Sequence, residues 1–308
     1  MLDLFDPGLL AATLRIATPL VLAAMGGVLC MQAGIFNIGL EGFMLMGAFF
    51  AIFTVDRIGS TVLGLVGGLV AGTVLGLVYG VAVLRYQADE IVAGIAINLL
   101  ALGMTTFLLK TAFGASGVYR PMDMEMLPSV AIPLVKDIPV LGAALSGHTP
   151  LVYLSFGVVI LTYIILFKTP FGLAVRSAGE KPEAARTAGI DPLRIKMLTI
   201  LWSGALCGLA GAHLATGYVS EFSENMTQGR GFTAFTAIIF GANNPVWTFL
   251  ACQVFAFADA LGIRIQLEQF GLPPSILKMF PYVLAITVLT ISSAVRLRRR
   301  GMAGEMLS

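Results

Sequence analysis

Long apolar runs, broken by short polar segments, cover most of this chain. A helix that crosses a hydrocarbon layer of about 30 Å needs roughly 20 apolar residues. The apolar runs predict eight spans, at about 9–31, 36–55, 60–84, 91–113, 151–167, 198–218, 246–263 and 277–295. A further apolar run at 232–241 is too short alone, so this crossing either begins near Glu224 or is broken and partly extended. We therefore expect an all-α polytopic bundle of eight to nine spans with broken helices, in one domain over residues 1–308.

A strongly basic stretch interrupts the apolar pattern at 168–196. It holds six of the 19 lysines and arginines of the chain. Within it, Pro182 as the first helical residue, Glu183 in the first turn and Gly189 as the stop predict a short helix over 182–188. Because such a helix is too short to persist alone in water, it needs contacts from outside itself. The alternative is a solvated loop whose charges only set the topology.

The composition indicates an integral membrane protein. Hydrophobic residues make up 57% of the chain and charged residues 12%, whereas soluble domains are about a quarter charged. If 168–196 is cytoplasmic, Arg85 and the arginines of 296–300 lie on the same side, which collects 11 of the 19 basic residues inside. The N-terminus and the loop 114–150 then lie outside. The basic tail is expected to anchor the last span or to bind anionic lipid.

Two further patterns concern packing and docking. Five glycines recur every fourth residue in the third span, and they predict one bare helix face against which another helix packs closely: Gly64, Gly68, Gly72, Gly76 and Gly80. The external connection 114–150 contains five prolines. A connection of this length is usually functional or disordered, so it is a candidate docking segment for an external partner.

Two polar segments containing glycine, 34–42 and 224–232, interrupt the apolar sequence. Each has an asparagine, then a charged residue followed by Gly-Phe, then an apolar helix. This pattern suggests an inverted repeat whose broken helices line a central path, with the two segments toward opposite faces of the membrane. Polar groups inside a membrane are functional candidates, and the predicted pathway residues are Asn37, Glu41, Asn98, Glu224, Asn225, Arg230 and Phe232. For Glu41 the alternative is a structural cap.

The other ionisable residues in apolar segments have simpler interpretations. Asp89 and Glu90 are expected to be charges at a helix N-terminus. His213 is expected to be a hydrogen-bonded packing residue rather than a proton carrier. Asp259 and Arg264 could form a pair, or one of them could reach out to water.

No enzyme constellation is present in the sequence. The two histidines do not support a metal triad or a catalytic His–Asp pair. Cys30, Cys207 and Cys252 lie in apolar segments without a CxxC motif, so neither a disulfide framework nor a zinc site is predicted. Because the sequence has no G-x-x-x-x-G-K-[ST] loop, ATP binding of that kind is not predicted for this polypeptide.

Segments 33–48, 88–109, 170–190 and 225–245 resemble the permease subunits of ABC importers of the ribose and branched-chain amino-acid type. The motifs Asn-Ile-Gly-Leu-Glu-Gly, Ala-Asp-Glu-Ile-Val-Ala-Gly-Ile-Ala-Ile-Asn and Asn-Met-Thr-Gln-Gly-Arg-Gly-Phe are similar to those of the nucleoside and simple-sugar branch. The chain departs from this pattern in having Lys181 where relatives commonly have a capping asparagine. It also lacks the basic and aromatic residues often found at the turn 241–245.

The resemblance implies a noncatalytic permease subunit in a bacterial plasma membrane. A second permease chain, either a paralogue or a copy, would complete the pore. A cytoplasmic ATPase would drive transport, and an external binding protein, usually a lipoprotein, would deliver a small-molecule substrate. No cofactor and no nucleic-acid partner are implied.

In that family the basic loop carries the coupling helix that docks on the ATPase, which corresponds here to 179–189. The coupling residues are therefore expected to be Glu180, Pro182, Glu183, Ala184, Ala185, Arg186, Ala188 and Gly189. The three alanines would form a small face that lies flush in a groove of the partner.

Two other functions are compatible with a polytopic protein. A self-contained secondary transporter would need a titratable pair inside the membrane as an ion site, and only Glu41 or Asp259 could begin one. A membrane enzyme would need an acid–base set, which the sequence lacks. Copurification of an ATPase would separate an ABC permease from both alternatives.

Overall fold

The computed structural model describes residues 7–121, 124, 127–130 and 146–267, which form a bundle of helices. The helices are α1 (Pro7–Gln32), α2 (Leu40–Ile58), α3 (Thr61–Gly80), α4 (Glu90–Phe113), α5 (Pro150–Lys168), α6 (Pro170–Glu180), α7 (Pro182–Thr187), α8 (Pro192–His213), α9 (Arg230–Phe240) and α10 (Pro245–Leu267). π-Helical turns extend α3 over Val81–Arg85 and α8 over Leu214–Val219. The expected all-α polytopic architecture is confirmed.

Six of the described helices are long and apolar enough to cross a membrane. They are α1, α3, α4, α5, α8 and α10. The helix α2 has 19 residues but carries Glu41, Asp56 and Arg57 near its ends. The predicted last span at 277–295, the arginine tail and the extreme N-terminus lie outside the described residues.

The core of the bundle is built around α1. This helix is the most buried of the six long ones, and it packs against α5, α8, α9 and α10. Leu20, Leu22 and Met25 of α1 are fully enclosed. In contrast, α3 and α4 leave most of their apolar side chains exposed. Their outer surfaces are therefore available to lipid or to another transmembrane subunit.

The glycine row of α3 packs directly against the backbone of α8, as the spacing predicts. A Cβ atom added at Gly72 would lie 2.2 Å from the carbonyl oxygen of Gly204, and one at Gly208 would lie 2.3 Å from that of Gly68. A Cβ atom added at Gly47 of α2 would likewise lie 2.3 Å from the carbonyl oxygen of Gly208. Three helices thus meet backbone to backbone, which is the closest packing that helices can achieve.

The basic stretch 168–196 folds into two helices rather than one. The unforeseen helix is α6, whose first turn is capped by Thr169: its hydroxyl accepts a hydrogen bond from the backbone N–H of Gly172 at 3.2 Å. The predicted short helix is α7, and Lys181 provides no side-chain cap, as expected. Gly189 follows with a φ of +80°, so the predicted glycine stop is confirmed.

A short antiparallel ribbon, which the sequence analysis did not predict, ties the loop after α4 to the segment after α8. Its strands are β1 (Val118–Tyr119) and β2 (Phe222–Ser223). Tyr119 stacks on Phe113 with ring centroids 3.9 Å apart, and its hydroxyl donates a hydrogen bond to the Asp56 carboxylate at the end of α2. This hydrogen bond raises the pKa of Tyr119.

Candidate functional site

The second polar segment forms a broken crossing. After β2 the chain turns through Asn225, Gln228 and Gly229, all with positive φ, and only then enters α9. This helix has 11 residues, or about 16 Å, roughly half of a hydrocarbon layer. The segment therefore takes the broken, partly extended form, one of the two alternatives that the short apolar run allowed.

Glu41 caps the N-terminus of this half-helix. Its Oε1 accepts a hydrogen bond from the backbone N–H of Gly229 at 2.8 Å, and its Oε2 accepts one from that of Gly231 at 2.6 Å. The side chain is buried, and a carboxylate is favoured there by the partial positive charge of a helix N-terminus. A side chain at position 231 would collide with Glu41, since an added Cβ would lie 2.5 Å from its Cα atom. Of the two interpretations of Glu41, the structure supports the cap.

The same hydrogen bonds bring the two polar segments together. The expectation that 34–42 and 224–232 lie toward opposite faces of the membrane is therefore wrong. The physical reason is the irregular descent after β2, which carries the start of α9 into the bundle to the level of the first turn of α2.

Two of the predicted pathway asparagines hold the loop before α2. Asn37 is almost fully buried: its Oδ1 accepts from the N–H of Gly39 at 2.9 Å, and its Nδ2 donates to the hydroxyl of Ser203 at 3.2 Å. Asn98 of α4 accepts from the N–H of Gly42 at 2.8 Å and donates to the carbonyl of Ile38 at 3.1 Å. Both amides thus satisfy backbone groups of a nonhelical segment inside the bundle.

The remaining pathway candidates lie at or near the surface of the chain. Glu224 is exposed and accepts a hydrogen bond from the N–H of Gly117 at 3.0 Å, beside the ribbon. Asn225 is exposed at its turn, and Phe232 exposes 46% of its surface. Arg230 is half-buried, and its Nη1 donates to the carbonyl oxygens of Met226 and Thr227. Contact of these residues with a solute stays a prediction.

The expected small face of α7 is split by the fold. Ala184 and Ala188 are exposed, but Ala185 is only 2% exposed because it packs against its own chain. The three alanines therefore do not form one docking face, which corrects that expectation. Glu183 and Arg186 are exposed beside Ala184, and Glu180 is exposed at the end of α6.

The helix α6 links α7 to the end of α1. A Cβ atom added at Gly179 would lie 2.3 Å from the carbonyl oxygen of Gln32, and Gly34 approaches Gly179 with a φ of +74°. An open cleft separates α7 from the π-helical end of α3 and the start of α4. It is lined by Val83, Leu84, Gln87, Ala88, Glu90, Pro182, Arg186, Pro192, Leu193 and Lys196. Asp89, next to this cleft, caps α4 as expected by accepting from the N–H groups of Ile91 and Val92.

Residues 9–289 match the family described as the permease component of the branched-chain amino acid transport system. The chain belongs to this family. The permease chain is 37% identical over 290 residues to the guanosine ABC transporter permease protein NupQ of Bacillus subtilis, covering 91% of the chain and 90% of that protein. It is 35% identical over 292 residues to the nucleoside ABC transporter permease protein NupC of Lactococcus lactis, covering 92% and 91% respectively. The resemblance seen in the motifs is thereby confirmed.

The relatives of the permease chain include pairs from one organism. NupP of Bacillus subtilis is 25% identical to it and NupB of Lactococcus lactis 26%, so two permeases of each organism are similar to this chain. A putative glucose ABC transporter permease protein of Haloferax volcanii, TsgC13, is 29% identical over 93% of the chain and 92% of that protein. No solved structure matches the chain significantly. Each of these two organisms thus has two named ABC transporter permeases that are similar to this chain.

Proposed function

We propose that this chain is one of two paralogous permease subunits of an ATP-driven importer of nucleosides in a bacterial plasma membrane. The observation that carries the proposal is its similarity to NupQ and NupC, both named as nucleoside or guanosine ABC permeases, over nine-tenths of each chain. Simple sugars are the second substrate class, because TsgC13 is a named relative of similar coverage. A cytoplasmic ATPase and an external binding lipoprotein complete the transporter.

Coupling to the ATPase is assigned to α7 and its neighbours. The exposed groups of α7 face away from the bundle, as a docking element requires. The backbone contact between Gly179 and the Gln32–Gly34 segment supports a route for movement from α7 into α1. This segment leads directly to Asn37 and Glu41, so a shift of α7 would move the cap of the half-helix α9. Such a change between two packings is the physical basis of alternating access.

The translocation path is assigned to the surface beside the half-helix α9. Arg230 and Phe232 are its accessible members, and Glu224 and Asn225 lie above them in the irregular descent. The role of Asn37, Glu41 and Asn98 is indirect, because their hydrogen bonds hold in place the backbone that forms the wall of this path. We divide the residues in this way because the first group has exposed side-chain surface and the second group is committed to hydrogen bonds with the backbone.

Copurification followed by reconstituted uptake tests the proposal. The tagged chain should bring down an ABC ATPase and a second permease. Proteoliposomes that contain this complex and the binding lipoprotein should accumulate radiolabelled nucleosides only when ATP is present on the ATPase side of the membrane. Preference for glucose over nucleosides would replace the substrate assignment. Uptake by the chain alone, driven by an ion gradient, would overturn the proposal in favour of a secondary transporter.

A further inference from the structure

The void between α1, the end of α8 and the start of α9 is too small for a solute. Arg15, His213 and Arg230 are among the residues that line it, and its volume of about 10 Å³ is room for about one water molecule. Within the described part of the chain, Nδ1 of the buried His213 has no hydrogen-bond partner. The expectation that His213 is hydrogen-bonded is therefore not met at this atom.

The cleft beside α7 lies where two membrane helices reach the surface of the bundle. The π-helical extension of α3 ends at Arg85, and Tyr86, which is 74% exposed, follows it. The first turn of α4 exposes the apolar side chains of Ile91 and Val92. Tyrosine and arginine at a helix end are typical of the boundary between lipid and water, whereas exposed aliphatic side chains are typical of the hydrocarbon layer. The cleft therefore opens at the level of the lipid headgroups.

Two basic side chains that line this cleft have no counterion of their own. Arg186 of α7 is exposed, and Lys196, near the start of α8, is half-buried. Within the described ranges, neither of them forms an ion pair. A partly enclosed surface that carries uncompensated charge of one sign concentrates ions of the opposite sign. The two cations therefore favour an anion that comes from outside the chain.

The carboxylates near the cleft are already engaged with other groups. Glu90 also lines the cleft, and its Oε2 accepts a hydrogen bond from the backbone N–H of Phe36. Asp89 caps α4. Asp191 caps α8 and pairs with Arg194 at 3.0 Å. The lining thus contains two unpaired cations and one carboxylate that is held by the backbone, which leaves it with a net positive charge.

The remaining lining and its surroundings are apolar. Val83, Leu84 and Leu193 contribute aliphatic surface to the cleft. Its volume is about 290 Å³, close to the lower limit for pockets that bind small molecules, so it is suited to a headgroup rather than to a whole lipid. Exposed aliphatic side chains continue from the cleft along α3 and α4, namely Val74, Leu77, Val78, Ile91, Val92 and Ile95.

We propose that this cleft binds the headgroup of an anionic phospholipid, with Arg186 and Lys196 at the phosphate and the acyl chains on the outer faces of α3 and α4. Basic pockets between transmembrane helices bind such headgroups through their cations. A soluble phosphate would use the cations but not the adjacent apolar surface, so the observations favour a lipid. The bound lipid would join α7 to α3 and α4, because its headgroup contacts the first and its chains contact the other two. The proposal does not depend on which solute is transported.

Protection of an introduced thiol by lipid tests this proposal. Leu193 lines the cleft and is 48% exposed, whereas the native cysteines Cys30, Cys207 and Cys252 are fully buried. The purified transport complex carrying Leu193→Cys is placed in phosphatidylcholine nanodiscs with an increasing fraction of phosphatidylglycerol, and its reaction with the uncharged reagent N-ethylmaleimide is timed. Phosphatidylglycerol should slow this reaction at least about fivefold.

Leu173→Cys is the matched control for the charge of the membrane surface. Leu173 belongs to α6, at the same end of the molecule, and is 60% exposed outside the cleft. Each rate for Leu193→Cys is divided by the rate for Leu173→Cys in the same nanodiscs, which removes the general effect of an anionic surface on thiol reactivity. The protection should persist in this ratio.

Removal of one cation from the cleft should weaken the protection. Lys196→Gln in the Leu193→Cys background should raise the fraction of phosphatidylglycerol needed for half-maximal protection about fivefold, because one cation no longer meets the phosphate. Lys110→Gln makes the same change of charge at the other end of α4 and should leave this fraction unchanged. Arg186→Gln replaces Lys196→Gln if the latter does not assemble, since Arg186 lines the same cleft.

Three outcomes would overturn the proposal. The first is equal reactivity of Leu193→Cys with and without phosphatidylglycerol. The second is an equal effect of Lys196→Gln and Lys110→Gln, which would indicate a response to membrane charge alone. The third is protection in pure phosphatidylcholine by glycerol 3-phosphate or inorganic phosphate as strong as that by phosphatidylglycerol, which would assign the cleft to a soluble anion. None of these outcomes affects the proposed function, because nucleoside uptake is not the quantity measured.

Discussion

Single polar residues inside this bundle mainly bind backbone groups. Glu41, Asn37 and Asn98 each satisfy N–H or C=O groups of nonhelical segments or of the first turns of helices. In a hydrocarbon environment such groups have no water to bind, so these side chains stabilise an irregular backbone at this depth. Arg230 differs from them, because among the residues that the structure describes only its Nη1 is engaged, with two carbonyl oxygens.

Removing the carboxylate of Glu41 should destabilise the half-helix α9. Glu41→Gln replaces an anion that accepts from two backbone N–H groups by an amide that carries donors of its own. We expect a loss of about 1–3 kcal/mol, measured as a lower melting temperature of the detergent-purified complex, together with reduced uptake. Glu224→Gln is the matched control: its carboxylate is exposed and accepts from one N–H, so its effect should be below ~1 kcal/mol. Equal effects would contradict the capping role.

Small residues allow individual helices to pack closely against their neighbours. The glycines of α3 and α8 bring two backbones into contact, and α6 meets the end of α1 through Gly179 and Gly34 in the same manner. Helices in such contact cannot slide past one another without collisions between backbone atoms. We therefore expect α2, α3 and α8 to move as one body during the transport cycle.

A methyl group in the glycine seam should be harmful, whereas one on an open helix face should not. At Gly72 an added Cβ would lie 2.2 Å from a backbone carbonyl oxygen, whereas Gly103 in α4 has open space around it. Gly72→Ala should cost about 1–3 kcal/mol, and Gly103→Ala should be neutral or stabilise by up to ~1 kcal/mol. Thermal denaturation of the two variants makes the comparison. A tolerated Gly72→Ala would show that α3 and α8 are less closely packed than described.

Bulk on the exposed side of α7 should uncouple the ATPase without unfolding the permease. Ala184→Trp should reduce nucleoside-stimulated ATP hydrolysis at least about tenfold while leaving the melting temperature unchanged. Ala185→Trp should instead lower the melting temperature, because that side chain is buried. Arg186→Ala should be mild, since an exposed ion pair contributes at most ~1 kcal/mol. Normal coupling in Ala184→Trp would exclude α7 as the docking element.

The whole molecule has two ends, marked by different features. One end carries the β1–β2 ribbon and the starts of α1 and α5, and the other carries α6 and α7 with the basic stretch 168–196. The orientation predicted from charge places the ribbon outside and the basic stretch in the cytoplasm.

Labelling of intact cells with an impermeant thiol reagent tests this orientation. Ser129→Cys, exposed in the loop before α5, should be labelled, and Lys181→Cys, exposed between α6 and α7, should be labelled only after permeabilisation. The fully buried native cysteines provide the unlabelled control. The reverse pattern would invert the topology and remove the assignment of α7 as a coupling helix.

Local patterns in the sequence are enough to predict the class of this protein, most of its long helices and the short helix after Lys181. These features depend on local composition, on proline and glycine at helix ends, and on apolar run length, all of which act within one segment. The folded structure was needed to show that Glu41 caps α9, that the two polar segments meet, and that Ala185 is buried. The β1–β2 ribbon and the meeting of Arg15, His213 and Arg230 around one small void also emerge only from the fold. Each of these depends on contacts between residues far apart in the chain, which no local pattern encodes.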